Sequence, residues 1–216
     1  MIFAIIALIL SYFAGAIPFA YIIVKLIKGI DIRNQGSGNV GFTNSLRVVG
    51  WGPGLLVLLA DVGKGVASVL LISHLGKIQP NPLYDYMPVL CGFAAMVGHV
   101  WTVFLKFHGG KGVASSLGIF IALYPIAGLI ALGVWLVVVA ITRYVSLGSI
   151  LLCVSFCVVA FVTDGSHALN GVEIWSLRMM AVLVTIIVIY KHKGNIQRLI
   201  KGEERKFGQR EKVKES

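Results

Sequence analysis

Six apolar runs, at roughly 2–24, 51–76, 86–104, 113–141, 148–163 and 176–190, succeed one another along a chain of 216 residues. A helix needs about 20 apolar residues to cross the hydrocarbon core of a bilayer, and blocks of that order recur here. Charged residues make up 13% of the chain, against about 25% in soluble domains. The expectation is an all-α integral membrane protein. One membrane domain covers 1–201, and 202–216 is a charge-rich stretch with the composition of a disordered tail. The first run lacks a small-residue cleavage site and leads straight into further spans. It reads as a retained helix rather than a removed signal.

Charge in the connecting pieces sets the topology. Segment 191–216 holds nine Lys or Arg against four Glu, and 25–50 has Lys25, Lys28, Arg33 and Arg47 against Asp31. Segment 105–112 has Lys106 and Lys111 with no acid, whereas 164–175 carries Asp164 and Glu173 with no base. The positive-inside rule puts the first three in the cytoplasm and the last outside. An odd number of crossings must then separate 105–112 from 164–175, so 113–141 has to divide, and Tyr124–Pro125 is where proline would break it. Seven membrane helices follow, with the N-terminus outside and the C-terminus cytoplasmic. Half of the net charge of +10 lies in the tail, where it meets anionic lipid. No nucleic-acid motif accompanies it. Cys91, Cys153 and Cys157 lie inside apolar runs without metal-ligand spacing and read as small hydrophobes.

Polar residues interrupt this apolar background in four places. Asp61 and Lys64, within "LLADVGKGVAS", can pair at i, i+3. They read as a neutralised structural pair, or as a lysine offered to an anionic substrate. "GHVWTVFLKFHGGKGVASS", 98–116, sets Gly109, Gly110 and Lys111 just before an apolar helix. Free amides beside an ammonium suit an anion there, although the Walker A pattern is absent. His99 reads as a helix-packing residue. "NQGSGNVGFTNSLRVVG" combines Ser37, Asn39, Thr43, Asn44 and Arg47 with Gly36, Gly38 and Gly41. Glycine permits close backbone approach to a ligand, and arginine offers a bidentate fork to phosphate. In "YKHKGNIQRLIKGEE", His192 and Asn195 are three apart on an amphipathic stretch suited to the membrane interface. The three clusters outside the spans share the cytoplasmic side. Their natural ligands are a soluble phosphorylated molecule and a lipid-like one.

Together "GSGNVGFTN" with Arg47, "DVGKG", "GHVWTVFLKFHGGKGVAS" and "HKGNIQRLIKGEE" resemble the bacterial acyl-phosphate:glycerol-3-phosphate acyltransferases, the PlsY family. They occur in the family's order, up to about residue 204. One departure is His108, where the family commonly has lysine. The resemblance implies seven helices, an active site facing the cytoplasm, and residence in the inner (cytoplasmic) membrane. It also implies acyl transfer from acyl phosphate to glycerol 3-phosphate, giving lysophosphatidic acid. Acyl phosphate is an activated anhydride, so neither cofactor nor metal is expected.

The sequence thus nominates direct transfer in a ternary complex among membrane lipids. The Gly109 and Gly110 amides with Lys111 would cradle the acyl-phosphate headgroup. Arg47 and Lys64 would hold the phosphate of glycerol 3-phosphate. Ser37, Gly38, Asn39 and Thr43 would orient hydroxyl and carbonyl, with His192 and Asn195 closing the site. The proton goes to His192 or to the donor phosphate, and Ser37 either positions a substrate or is acylated. A transporter or flippase for a phosphorylated metabolite is the alternative. It predicts polar groups along the whole membrane depth and an inverted repeat. A CDP-alcohol phosphotransferase would need an Asp-rich metal motif, which the chain lacks.

Overall fold

Every apolar run folds as helix, and prolines mark two of the breaks. The computed structural model describes residues 1–166, 168–169 and 172–208. Helix α1 (Ile2–Ala16) stops before Pro18, and α2 (Phe19–Lys28) resumes beyond it. The opening loop leads into α3 (Phe42–Val49). Helix α4 (Trp51–Ala67) then continues through a wide turn at Ser68–Ile72 into α5 (Ser73–Leu75). There follow α6 (Met87–Val100), α7 (Val113–Leu123), α8 (Pro125–Thr142) and α9 (Val145–Val162). The last two helices are α10 (Ile174–Lys191) and α11 (Lys193–Ile200).

Six stretches among the described residues are long and apolar enough to cross a membrane: Ile2–Lys28, Trp51–Leu75, Tyr84–Leu105, Pro125–Thr142, Val145–Val162 and Ile174–Lys191. Seven were expected. The run 113–141 does divide at Tyr124, because Pro125 has no amide to donate to the turn before it. The first half is only 11 residues long, a rise of about 16 Å against a hydrocarbon core of about 30 Å.

Contacts sort the helix ends into two groups. At one end Lys111 meets Asn195, Ser146 meets Glu204, and the Phe207 amide donates to the Arg143 carbonyl at 2.7 Å. At the other, Tyr124 Oη donates to Thr163 Oγ1 at 3.0 Å and the Leu169 amide to the Leu123 carbonyl at 2.7 Å. Short as it is, α7 runs from one group to the other. It sits deep in the bundle, with Ile119, Phe120 and Leu123 wholly buried.

Large apolar side chains such as Leu56, Val137 and Ile186 point outward, as lipid-facing positions do. Small ones pack helix on helix: Ala4, Ala7 and Ala16 of α1 are buried, and α1 lies along α6. Close backbone approach of this kind replaces the hydrophobic drive that lipid removes. The main core joins α6, α7, α8, α9 and α10, with the Phe120 and Phe156 rings stacked 3.7 Å apart. A smaller cluster of Val24, Ile32, Val40, Val57 and Leu105 supports the loop ahead of α3.

Of the stretch 202–216 read as a loose tail, residues 202–208 instead fold back across the helix ends. The Glu204 carboxylate finds three donors there, and the Phe207 ring meets Trp51 edge-on at 5.7 Å. Residues 209–216 lie outside the described residues.

Candidate active site

The loop 34–44 is held from beneath by one side chain. Asn44, in the first turn of α3 and 1% exposed, donates to the carbonyls of Gln35 at 3.0 Å and Asn39 at 3.1 Å. Its Oδ1 accepts the Ser37 amide at 3.0 Å. Gly36 and Gly38, at φ of 59° and 71°, supply the left-handed bends that let the backbone circle this amide. Ser37 and Asn39 line a cavity of about 350 Å³, whereas Gly38 acts only through its backbone bend. Thr43 and Arg47, four apart on α3, face the same cavity.

The α6–α7 connection brings the second group. Lys106 and Phe107 are both left-handed, at φ of 53° and 62°, and turn the chain back along the end of α6. The Gly109 amide then donates to the Val100 carbonyl at 3.2 Å and the Gly110 amide to the His99 carbonyl at 3.1 Å. These two amides are therefore engaged, and the expected phosphate cradle at Gly109 and Gly110 does not form. The glycines serve close packing instead: a Cβ at Gly109 would strike the His99 carbonyl, and one at Gly110 the His99 ring. What faces the cavity is the next segment, Gly112, Val113 and Ala114. A helix leaves its first amides without intrahelical partners, so the anion-binding geometry lies at the start of α7.

Lys111 donates to Asn195 Oδ1 at the cavity wall. Burial pushes its ammonium down to about 8, with Glu204 opposing the shift and Arg198, Arg47 and Lys191 adding to it. His192 is 3% exposed, and its Nδ1 lies 2.8 Å from the Val188 carbonyl. A carbonyl only accepts, so Nδ1 carries the proton and Nε2 keeps its lone pair. Burial first, then the Lys111 charge, hold this imidazole down at about 4. It is neutral at physiological pH and a weaker base than the ordinary histidine expected from sequence.

Lys64 does not reach the cavity. Its Nζ is 2.8 Å from Asp61 Oδ1 and donates to the Ile17 carbonyl at 3.0 Å, with 4% of the side chain exposed. It borders a small void of about 10 Å³, together with Gly109 and Gly110. The carboxylate and carbonyl occupy the lysine, which braces the α1–α2 junction against α4. His99, 3.5 Å from Asp61, packs there and also lines the main cavity.

Among the cavity residues that carried no assigned role in the sequence are Ser146, Arg198, Glu204 and Trp135. Arg198 is one helical turn beyond Asn195, a spacing that could have flagged it. Nothing local singled out Glu204, one of four glutamates in a basic tail. The apolar walls, Leu58, Leu117, Leu132, Trp135 and Leu152, come from α4, α7, α8 and α9. Among the described residues, no group of three or more His, Cys, Asp or Glu side chains is placed to hold a metal ion.

The sequence profile of the family described as glycerol-3-phosphate acyltransferase matches residues 5–202. A glycerol-3-phosphate acyltransferase of Desulforudis audaxviator is 44% identical over 198 residues, 92% of each chain. One from Shouchella clausii is 43% identical over 211 residues, covering 97% of this chain and 99% of the relative. Two crystal structures of PlsY, an integral membrane glycerol 3-phosphate acyltransferase, superpose closely. Its glycerol 3-phosphate form gives a TM-score of 0.82 at 37% identity, covering 95% of this chain and 96% of that one. Its lysophosphatidic acid form gives 0.80 at 36% identity, covering 95% of each. This chain belongs to the glycerol-3-phosphate acyltransferase family.

Proposed function

We propose that the cavity is where this membrane acyltransferase joins its two substrates, moving a fatty acyl group from acyl phosphate to glycerol 3-phosphate. The products are lysophosphatidic acid, a phospholipid precursor, and inorganic phosphate. One observation carries the reading: Ser37, Asn39, Thr43, Arg47, Lys111, His192 and Asn195, from three distant segments, line one cavity. That cavity combines phosphate-type donors with apolar walls.

Arg47, with the Ser37 and Thr43 hydroxyls, holds the phosphate of glycerol 3-phosphate. Lys111 and the first amides of α7 hold the acyl-phosphate headgroup, and the chain lies along Leu117, Leu132, Trp135 and Leu152. The free hydroxyl oxygen of glycerol 3-phosphate attacks the acyl carbonyl carbon, and the bond from that carbon to the phosphate oxygen breaks. The hydroxyl proton leaves with the departing phosphate. His192, held at about 4, accepts a hydrogen bond through Nε2 rather than taking the proton. Ser37 positions the substrate and is not acylated. Holding two reactants in line is worth roughly 7–11 kcal/mol of barrier, and the Lys111 charge meets the developing oxyanion.

The reading extends to the membrane. Seven crossings, with the N-terminus outside and the site at the cytoplasmic face, agree with α7 joining the two groups of helix ends and with the basic residues at the end bearing Lys111 and Asn195. The inner membrane of a bacterium is the corresponding location. Transport is not favoured, because the stacked Phe120 and Phe156 and the buried Leu123 fill the bundle beyond the cavity.

The test is phosphate release by purified protein in detergent supplied with acyl phosphate. Release should depend on glycerol 3-phosphate and be lost in Lys111→Ala and Arg47→Ala. Release indifferent to glycerol 3-phosphate would end the reading. An acyl-enzyme trapped on Ser37 would replace direct transfer by a two-step route.

A further inference from the structure

A carboxylate inside a site built for phosphate calls for a reason, since it repels the ligand. Glu204 lines the same cavity as Arg47 and Lys111, with only 6% of its side chain exposed. Both oxygens are engaged. Oε1 accepts from Asn195 Nδ2 at 2.6 Å and Ser146 Oγ at 2.8 Å, and Oε2 accepts from Arg198 Nε at 2.8 Å. These donors outweigh the burial that alone would raise its pKa, and hold the carboxyl below the usual glutamate value. Asn195 therefore stands between an anion and Lys111. A carboxylate only accepts and an ammonium only donates. The amide nitrogen must face Glu204, and the amide oxygen must face Lys111. With the carboxylate gone, Lys111 alone still orients the amide, and Asn195 loses the second anchor that fixes its place between the two charges.

We propose that Glu204 is a positioning residue of the acyl-transfer site: it fixes the Asn195 amide, the amide aims Lys111 into the cavity, and its charge balances the cations gathered there. Glu204 reaches Lys111 through Asn195 and itself holds no substrate. The proposal rests on the assignment of Lys111 to the acyl-phosphate headgroup. The charged or titratable groups around Lys111 are Arg47 from α3, Lys191 and His192 at the end of α10, Arg198 from α11, and Glu204, with Arg205, Asp61 of α4 and His99 of α6 also lining the cavity. Glu204 favours the protonated lysine, while Arg198, Arg47 and Lys191 disfavour it. Loss of the Glu204 charge thus makes Lys111 give up its proton at lower pH, and loss of the Arg198 charge makes it keep the proton to higher pH.

The experiment is the pH profile of kcat/KM for glycerol 3-phosphate, whose limbs report the free enzyme. It uses the full-length protein with acyl phosphate, and thermal unfolding in detergent checks the fold. Glu204→Gln should lose up to about 100-fold in kcat/KM, the cost that a displacement of about 1 Å can carry. Its alkaline limb should move to lower pH, and Glu204→Asp should return the limb toward its original position. Arg198→Gln should move the limb the other way. A residue that only supports the fold would lower activity without moving the limb. That outcome, or full activity in Glu204→Gln, overturns the proposal. If Glu204→Gln does not fold, Arg198→Gln decides alone, and an unmoved or lowered limb overturns it. Lys111→Ala separates the two readings: retained activity with the limb in place removes the Lys111 assignment. Lost activity there, with unmoved limbs in the Glu204 and Arg198 variants, removes only the role of Glu204.

Discussion

Lys111 and Asn195, 84 positions apart in the chain, meet side chain to side chain at the cavity wall, the ammonium donating to the amide oxygen. The contact ties the α6–α7 turn to the start of α11. The site is therefore complete only when the last helix has docked. It also places a cation beside the start of α7, whose first residues line the cavity and whose first amides have no intrahelical partner.

Asn44→Ala removes the pin of the loop that bears Ser37 and Asn39. The Asn39 carbonyl and the Ser37 amide lose this partner while the Gln35 carbonyl keeps the Gly38 amide, and an unsatisfied buried group costs about 1–3 kcal/mol. The expected result is a lower unfolding temperature in detergent and a KM for glycerol 3-phosphate raised about tenfold or more, the factor equal to 1.4 kcal/mol. Unchanged KM in the folded variant would detach the loop from substrate binding.

His192 makes stability depend on acidity. Its folded pKa of about 4 lies below the ordinary 6.5, so between these values the unfolded chain binds the additional proton. Stability then rises with pH across that window and is lost as pH falls through it, by about 3 kcal/mol at most. His192→Asn keeps a donor for the Val188 carbonyl without a titrating ring. It should flatten the acid side of a melting-temperature profile taken from pH 4 to 6.5. A profile as steep as the parent's would assign the acid loss to another group.

Lys64→Met leaves Asp61 buried without its cation, which typically costs 3–5 kcal/mol. The prediction is a large fall in unfolding temperature, largely recovered in the double variant Asp61→Asn with Lys64→Met. The KM for glycerol 3-phosphate should hold in whatever remains folded. A raised KM at an unchanged unfolding temperature would restore Lys64 to substrate binding.

Trp135 lines the cavity together with Leu132 and Leu152. Trp135→Ala should raise kcat/KM for longer acyl phosphates relative to shorter ones. Each methylene newly buried is worth about 0.8 kcal/mol, or roughly fourfold. A chain-length series in the same assay measures it. An unaltered preference would place the acyl chain elsewhere.

Much of this protein is legible in its sequence because lipid imposes simple rules. Apolar blocks of bilayer length specify helices, and proline at 125 ends α7 wherever the chain is placed. The four motifs are local in sequence, so Ser37, Arg47, Lys111, His192 and Asn195 could be named before any was brought to the cavity. The same reading misplaced Gly109 and Gly110, because the use of an amide depends on which carbonyl lies opposite. It misplaced Lys64 because a lysine one turn from an aspartate looks the same whether the pair is sealed or open to a ligand.

The sequence by itself determined the membrane class, the helix breaks and the residue types available for phosphate chemistry, all of which follow from composition and short-range periodicity. Only the tertiary structure decided which of those residues share a cavity and which partner each takes. Asn44 as the pin of its loop, Lys64 sealed away from the cavity, and Glu204 folded back onto Asn195 all depend on contacts between segments far apart in the chain. Such contacts are set by how helices of unequal length pack. The 11-residue α7, running between helices of bilayer length, opens its first turn to the space in which those segments meet.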